Sequence, residues 1–175
     1  MNKWIKQITL LFLILGTHSC VVSQKSDFFT VYLVRHSEKE TNSNDPHLTK
    51  CGELRSESLS RFLSNVPLDR VYSTNYNRTQ STALPTALSK GLTINEYDPS
   101  KLSDFSRLLI ESKKNALIVG HSNTTGVLAG LLTGKEIHEF DLDIYDRIYQ
   151  VTFYQNKRRL HLFHSAFNCN DSIKK

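Results

Sequence analysis

No stretch of this 175-residue chain holds the roughly 20 consecutive apolar residues that a membrane-spanning helix requires. The apolar stretch from Ile8 to Leu15 falls well short of that length. No internal repeat or low-complexity tract is present, so nothing suggests a solenoid or a disordered linker array. Cysteine is scarce: the three present form neither a redox pair nor a metal-ligand spacing, and no glycine-rich nucleotide loop occurs. Basic residues outnumber acidic ones by 22 to 17, for a formal charge of +5, yet they are scattered rather than gathered into a stripe. That pattern argues against a nucleic-acid partner and suits an anionic small substrate or a weak attraction to membrane surfaces. What remains is one globular domain, with 39% hydrophobic residues to supply its core.

The N-terminus reads as a targeting segment. A basic start with Lys3 and Lys6 precedes the apolar stretch, and small and polar residues lead to Cys20. Thr17-His18-Ser19-Cys20 is an imperfect lipobox, with Thr17 and His18 off its usual pattern. Three outcomes are compatible with it: lipidation at Cys20, ordinary signal-peptide cleavage, or an uncleaved buried helix. The expected organisation is a signal segment over 1–20, a linker over 21–27, a domain over 28–170 and a tail over 171–175. Bacterial export to the periplasm, or to a membrane through an N-terminal lipid, is the expected destination. Cys51 and Cys169 could pair in an oxidising compartment, but two free thiols are preferred, since an α/β domain of this size needs no staple.

Phe29 to Glu40, FTVYLVRHSEKE, is the stretch around which the chain is organised. The run Val31–Arg35 has strong β-propensity and delivers Arg35 and His36 into charged, polar sequence. This is the profile of a buried strand emerging where open α/β sheets keep their ligand sites. A neutral imidazole can attack phosphorus, and a guanidinium offers fixed donors to phosphate oxygens. The plainer reading of such a histidine is structural. Two further stretches bear on the choice: VYSTNYNRTQSTA at Val71–Ala83, and NALIVGHSNTT at Asn115–Thr125, another apolar strand ending in a histidine, His121.

Together these three pieces resemble the histidine phosphatase superfamily, also called phosphoglycerate mutase-like, in its small single-domain form. VRHSE stands where the family has R-H-G-E, with Ser37 in place of the usual Gly. The segment from Ser73 to Ala83 and V-G-H-S at Val119–Ser122 follow in the family order. The resemblance implies a three-layer α/β/α sandwich with a mostly parallel sheet. It also implies metal-independent, cofactor-free hydrolysis of a phosphate ester through a phosphohistidine on His36, with Arg35, Arg78 and His121 binding the phosphate. Asn42, seven residues after Arg35, matches a phosphate-touching Asn of the mutases; a turn-forming Asn is the equal alternative. Glu96, in Ile94-Asn95-Glu96, best fits the mutase-like general acid, with Asp98, Glu38 or no dedicated acid as alternatives. Asn123 stands where acid phosphatases of the other branch carry Asp, which argues against an acid from that loop.

The remaining sequence supplies scaffold. Thr49 caps a helix over Gly52–Ser64, with Leu54, Leu59, Phe62 and Leu63 facing the sheet. Strands follow at Pro67–Ser73, Thr93–Asp98 and Ala116–Val119. Helices are expected at Tyr76–Leu88, Pro99–Lys113 (apolar face Leu102, Phe105, Leu108, Leu109) and Thr125–Leu132, the last capped by Ser122-Asn123-Thr124. Arg78, unfavourable in a helix's first turn, calls for an anion nearby. Residues 135–147 are acid-rich, but their spacing matches no metal signature, so they read as a solvated or substrate-facing rim. The chain closes with an antiparallel hairpin at the sheet edge, turning at Gln155-Asn156-Lys157. The substrate is expected to be a phosphorylated small molecule or a phosphoprotein.

Overall fold

β1 (Phe28–Arg35) is buried along its whole length except for its first residue. A strand made of β-branched and aromatic residues without polar alternation belongs in the middle of a sheet covered on both faces, and β1 takes that place. The computed structural model describes residues 28–138 and 141–169, so the expectations for residues 1–27 and for the tail lie outside the described residues.

The elements follow in the order β1, α1 (Lys50–Phe62), β2 (Arg70–Ser73), α2 (Asn77–Lys90), β3 (Ile94–Glu96), α3 (Leu102–Ser112), β4 (Ala116–Gly120), α4 (Thr125–Thr133), β5 (Arg147–Tyr154) and β6 (Lys157–His164). The six strands run β3-β2-β4-β1-β5-β6 across the sheet. β1 to β4 are parallel, while β5 pairs antiparallel with β1 and β6 antiparallel with β5. The expected sandwich with a mostly parallel sheet and a C-terminal edge hairpin is therefore present.

Alternation along β1 splits the core in two. Phe29, Val31 and Leu33 pack with Phe105, Leu109, Leu128 and Leu132 of α3 and α4. Tyr32 and Val34 pack on the other face with Ala83 and Ala87 of α2 and with Leu63 after α1. Burying each such aliphatic side chain stabilises the fold by about 1.5–3 kcal/mol. The chain thus covers one face with α1 and α2 and the other with α3 and α4, and the crossover between these pairs opens a crevice at the carboxyl ends of β1 and β4.

Three expectations are corrected. Phe62 and Leu108, assigned to apolar helix faces, are 54% and 48% exposed, because Leu59 and Leu63 make the inward contacts of the first helix and Phe105 and Leu109 those of α3. Ser122-Asn123-Thr124 does not cap α4: no side chain bonds to its N-terminus, and the Thr124 hydroxyl instead accepts the His121 N–H at 2.9 Å. Cys51 and Cys169 are joined in a disulfide, with Cα atoms 5.5 Å apart, rather than standing as free thiols. Distance along the chain hid this pairing. β6 carries the chain back past β5 until Phe167 lies against α1, its ring 4.7 Å from the Arg55 guanidinium.

Candidate active site

Arg35 and His36 emerge from β1 exactly one strand away from the end of β4, and the ladder continues past them: His36 N–H donates to the Gly120 carbonyl at 2.9 Å. This brings the two histidine rings together, with centroids 5.5 Å apart. Gly120 is required by the crowding here, since a Cβ would lie 2.5 Å from the Tyr97 hydroxyl and 2.8 Å from Thr124 Oγ1. That backbone bond holds His36, the residue after β1, against Gly120, the last residue of β4, and His121 follows directly.

Hydrogen bonding sets the tautomer of each ring. His36 Nδ1 lies 2.7 Å from the Ser37 carbonyl, which can accept but not donate, so Nδ1 carries the proton and Nε2 the lone pair. Burial first, then the charges of Arg35, His121 and Arg78, push the His36 pKa down to about 3, outweighing the Ser37 bond that raises it. His36 is thus neutral at pH 7, with the lone pair on Nε2. Ser37 is itself held: its N–H donates to Thr82 Oγ1 at 2.9 Å, and Thr82 donates to the Arg78 carbonyl at 2.7 Å, tying α2 to the loop after β1.

His121 Nε2 lies 2.9 Å from Thr74 Oγ1. The fully buried Thr74 hydroxyl also lies 3.0 Å from Thr79 Oγ1, whose own proton goes to the carbonyl of Thr74 or of Tyr76, at 2.8 and 2.9 Å. With the Thr79 proton committed to a carbonyl, Thr74 donates to Thr79 and accepts from His121. That relay engages Nε2 and leaves the other ring nitrogen of His121, Nδ1, outside it. Burial, then Arg78 and Arg35, lower the His121 pKa to about 4.

Arg78 sits in the first turn of α2, where it is paired with Asp45 at 3.5 Å. Asp45 also accepts the Asn77 N–H at 2.9 Å, so a carboxylate from the loop after β1 caps a helix whose own preceding residue, Tyr76, supplies no side-chain cap. The unfavourable placement of Arg78 against the helix dipole is offset by Asp45 as well as by any bound anion. Arg35 is anchored differently: its Nη1 donates to the carbonyls of Leu142 and Ile144 at 2.7 and 3.1 Å. Each guanidinium lies on a tyrosine, Arg35 4.2 Å from the Tyr145 ring and Arg78 4.3 Å from that of Tyr76. Among the described residues, the buried Nε atoms of both arginines have no hydrogen-bond partner. Burial lowers the Arg35 pKa, and Arg78 adds to that. Four basic groups crowded into one cleft can be relieved by an anion with several acceptor oxygens, which a phosphoryl group is.

The cleft has a volume of about 880 Å³ and is lined by Arg35, His36, Arg78 and His121 together with Lys39, Tyr76, Pro99, Ser100, Asn123, Asp141 and Leu142. The other residues named from sequence lie elsewhere. Glu96, at the end of β3, accepts from Gln80 Nε2 at 3.2 Å and lines an adjoining depression of about 460 Å³ whose wall is shared through Tyr76 and Pro99. Asp98 is exposed, and hydrogen bonds from Ser100 hold its carboxyl below the usual range, a poor setting for a proton donor. Glu38 faces Arg55, which grips both carboxylate oxygens with contacts of 2.6 to 3.0 Å. Asn42 is exposed in its loop and does not line the cleft. In the acid-rich segment His138 lies 3.7 Å from Glu136, and among the described residues no three potential ligands gather around a metal position. Sequence reasoning gave no role to Thr74, Asp45 or Tyr145, whereas Asp141 falls in the 135–147 segment read as a solvated or substrate-facing rim. The spacing of Thr74 and Thr79 within the Ser73–Ala83 motif was a usable signal; nothing local marked Asp45 or Tyr145.

Known proteins share this fold. The model of the histidine phosphatase superfamily (branch 1) matches residues 31–99, which contain Arg35, His36 and Arg78. A comparison with curated proteins gives no match. A mycobacterial glucosyl-3-phosphoglycerate phosphatase shares the fold at a TM-score of 0.65 and 10% identity, over 79% of this chain and 100% of that one. A putative alpha-ribazole-5'-P phosphatase from Escherichia coli does so at 0.64 and 16%, over 78% and 96%. The protein histidine phosphatase SixA, solved with tungstate, does so at 0.65 and 18%, over 78% and 97%. At such identities these structures establish the fold; the family match carries the resemblance that the three motifs first suggested.

Proposed function

With the histidine phosphatase superfamily as its family match, this chain, we propose, is a metal-independent phosphomonoesterase working through a phosphohistidine on His36. The observation that carries the reading is the single cleft in which a neutral histidine, with its Nε2 lone pair free, faces two arginines and a second histidine. In the first step His36 Nε2 bonds to phosphorus as the P–O bond to the leaving group breaks. The Nδ1–H bond to the Ser37 carbonyl stabilises the positive charge that develops on the ring. Arg35, Arg78 and His121, which takes up a proton as the dianion enters, hold the equatorial oxygens. In the second step water attacks phosphorus, the P–N bond breaks, and inorganic phosphate leaves with His36 neutral again. Preorganised donors of this kind are each worth about 3–4 kcal/mol of barrier.

The leaving oxygen needs a proton, and two carboxyl groups stand near its path: Asp141 on the cleft wall, and Glu96 across Tyr76. Glu96→Gln and Asp141→Asn separate them, because the true donor's variant loses rate on alkyl phosphates while keeping it on aryl phosphates with good leaving groups. The open cleft, with both carboxyls at its margin, also favours a second reading, a protein phosphohistidine phosphatase, since a phosphoramidate asks less of an acid; SixA shares the fold. We place the protein at the envelope of a bacterium, acting on an exported or scavenged phosphate ester.

The decisive test is aryl phosphate hydrolysis in excess EDTA by wild type and His36→Ala. Turnover in EDTA that vanishes in the variant supports the reading. Turnover that survives the substitution refutes the phosphohistidine, and none in either protein moves the assignment to a silent anion-binding protein.

A further inference from the structure

Cations scattered along the sequence are not scattered over the surface. In this topology each helix runs back toward the end of the sheet where the parallel strands begin, so all four helix C-termini collect at the pole opposite the catalytic cleft. Contacts between elements define that pole: Lys90 Nζ donates to the Ser64 carbonyl at 2.5 Å, Arg158 Nη1 to the Leu132 carbonyl at 3.1 Å, and the Arg70 N–H to the Asn115 carbonyl at 3.1 Å. Arg70, Lys135, Lys157, Arg158 and Arg159 are exposed there, and Lys90 is half-buried. The acids of the same pole are fewer: Asp69, which accepts the Asn115 N–H, with Glu111 and Glu136.

Two bland causes account for part of this. Helix C-termini favour cations, which explains Lys90. Cations on an edge strand discourage pairing with another sheet, which explains Lys157 and Arg159. Neither explains the aromatic rings set among them. Phe28 and Tyr154 are 53% and 54% exposed, and they and Lys157 are neighbours in the strand register. Aromatic rings surrounded by Lys and Arg suit the headgroup level of an anionic bilayer. The chain also enters the domain at Phe28, and a fully extended stretch from Cys20 to Phe28 reaches less than about 30 Å. Whatever the N-terminal segment binds is therefore close to this pole.

We propose that this pole is a docking surface for an anionic lipid bilayer, seated by Phe28 and Tyr154 and the surrounding cations, with the catalytic cleft turned to the aqueous side. The inference does not depend on the hydrolytic reading, because its measurement is binding. The full chain is sedimented with phosphatidylcholine vesicles and with mixed phosphatidylcholine/phosphatidylglycerol vesicles, for wild type, Lys157→Glu/Arg159→Glu, Arg70→Glu/Lys135→Glu, and the control Lys50→Glu at the cleft end. Since each cation near such a surface is worth roughly five-fold in partitioning, both double variants are expected to lose at least about ten-fold of the preference for phosphatidylglycerol. The wild-type preference should fade at high salt, and Lys50→Glu should keep it. The N-terminal segment is common to all four proteins, so the differences report the pole. A wild type with no preference overturns the proposal and leaves the pole to an acidic protein partner. Double variants that keep the preference, or a control that loses as much as they do, overturn it as well.

Discussion

Thr74→Val tests the relay that orients His121. Valine keeps the shape of the threonine side chain and removes its oxygen, so His121 Nε2–H loses its acceptor at 2.9 Å while the Thr79 proton keeps its carbonyl. Leaving a buried donor unpaired costs about 1–3 kcal/mol. The ring can avoid that cost by moving the proton to Nδ1 and rotating, which disturbs the role proposed for His121 toward the phosphate. If half to all of that energy is lost from the transition state, kcat/KM falls roughly 2- to 150-fold. Thr74→Ser keeps the hydroxyl and should recover most of the rate. Aryl phosphate kinetics over a range of pH, beside thermal denaturation, give the answer: the expected result is a loss of kcat in Thr74→Val and a shifted pH profile, exceeding any loss of stability. A Thr74→Val enzyme within two-fold of wild type, or a Thr74→Ser enzyme as impaired as the valine variant, refutes the reasoning.

Asp45→Ala removes both the cap of α2 and the partner of Arg78, so thermal denaturation should show a loss of about 1 kcal/mol, with KM for a phosphate ester changed more than kcat. Because the folded pKa values of His36 and His121 are about 3 and 4, both below the unfolded value, protons favour the unfolded chain as the pH falls. Stability is then full above about pH 6.5 and declines toward pH 3, and the acid limb of kcat/KM lies near pH 3 to 4 rather than near 6.5; denaturant melts and rate profiles across that range check both. Reduction of the Cys51–Cys169 disulfide, or Cys51→Ser, should lower stability by about 2–5 kcal/mol, since its ends are 118 residues apart. An unchanged melting temperature after reduction would show that the free-thiol reading was right.

Much of this protein is written locally. The run Val31–Val34 can only be a buried central strand, the motif from Ser73 to Ala83 announces an anion-facing helix start, and the apolar Ala116–Val119 delivers His121; each signal lies within a dozen residues and survives without neighbours. The elements that carry Arg35, His36, Arg78 and His121 were legible for that reason, while the roles of these four residues came only from the family resemblance of the three motifs taken together. Tertiary structure decided what depends on distance. The Cys51–Cys169 bond, the Asp45 cap on α2 and the Tyr145 ring under Arg35 join residues far apart in the chain, where no periodicity carries information. The tautomers of the two histidines follow from single acceptor atoms placed by the fold. Charge shows the difference most plainly: the sequence holds dispersed cations and an excess of +5, while the topology, by returning every helix to one end of the sheet, gathers many of those cations at a pole and leaves the opposite end for the cleft of Arg35, His36, Arg78 and His121.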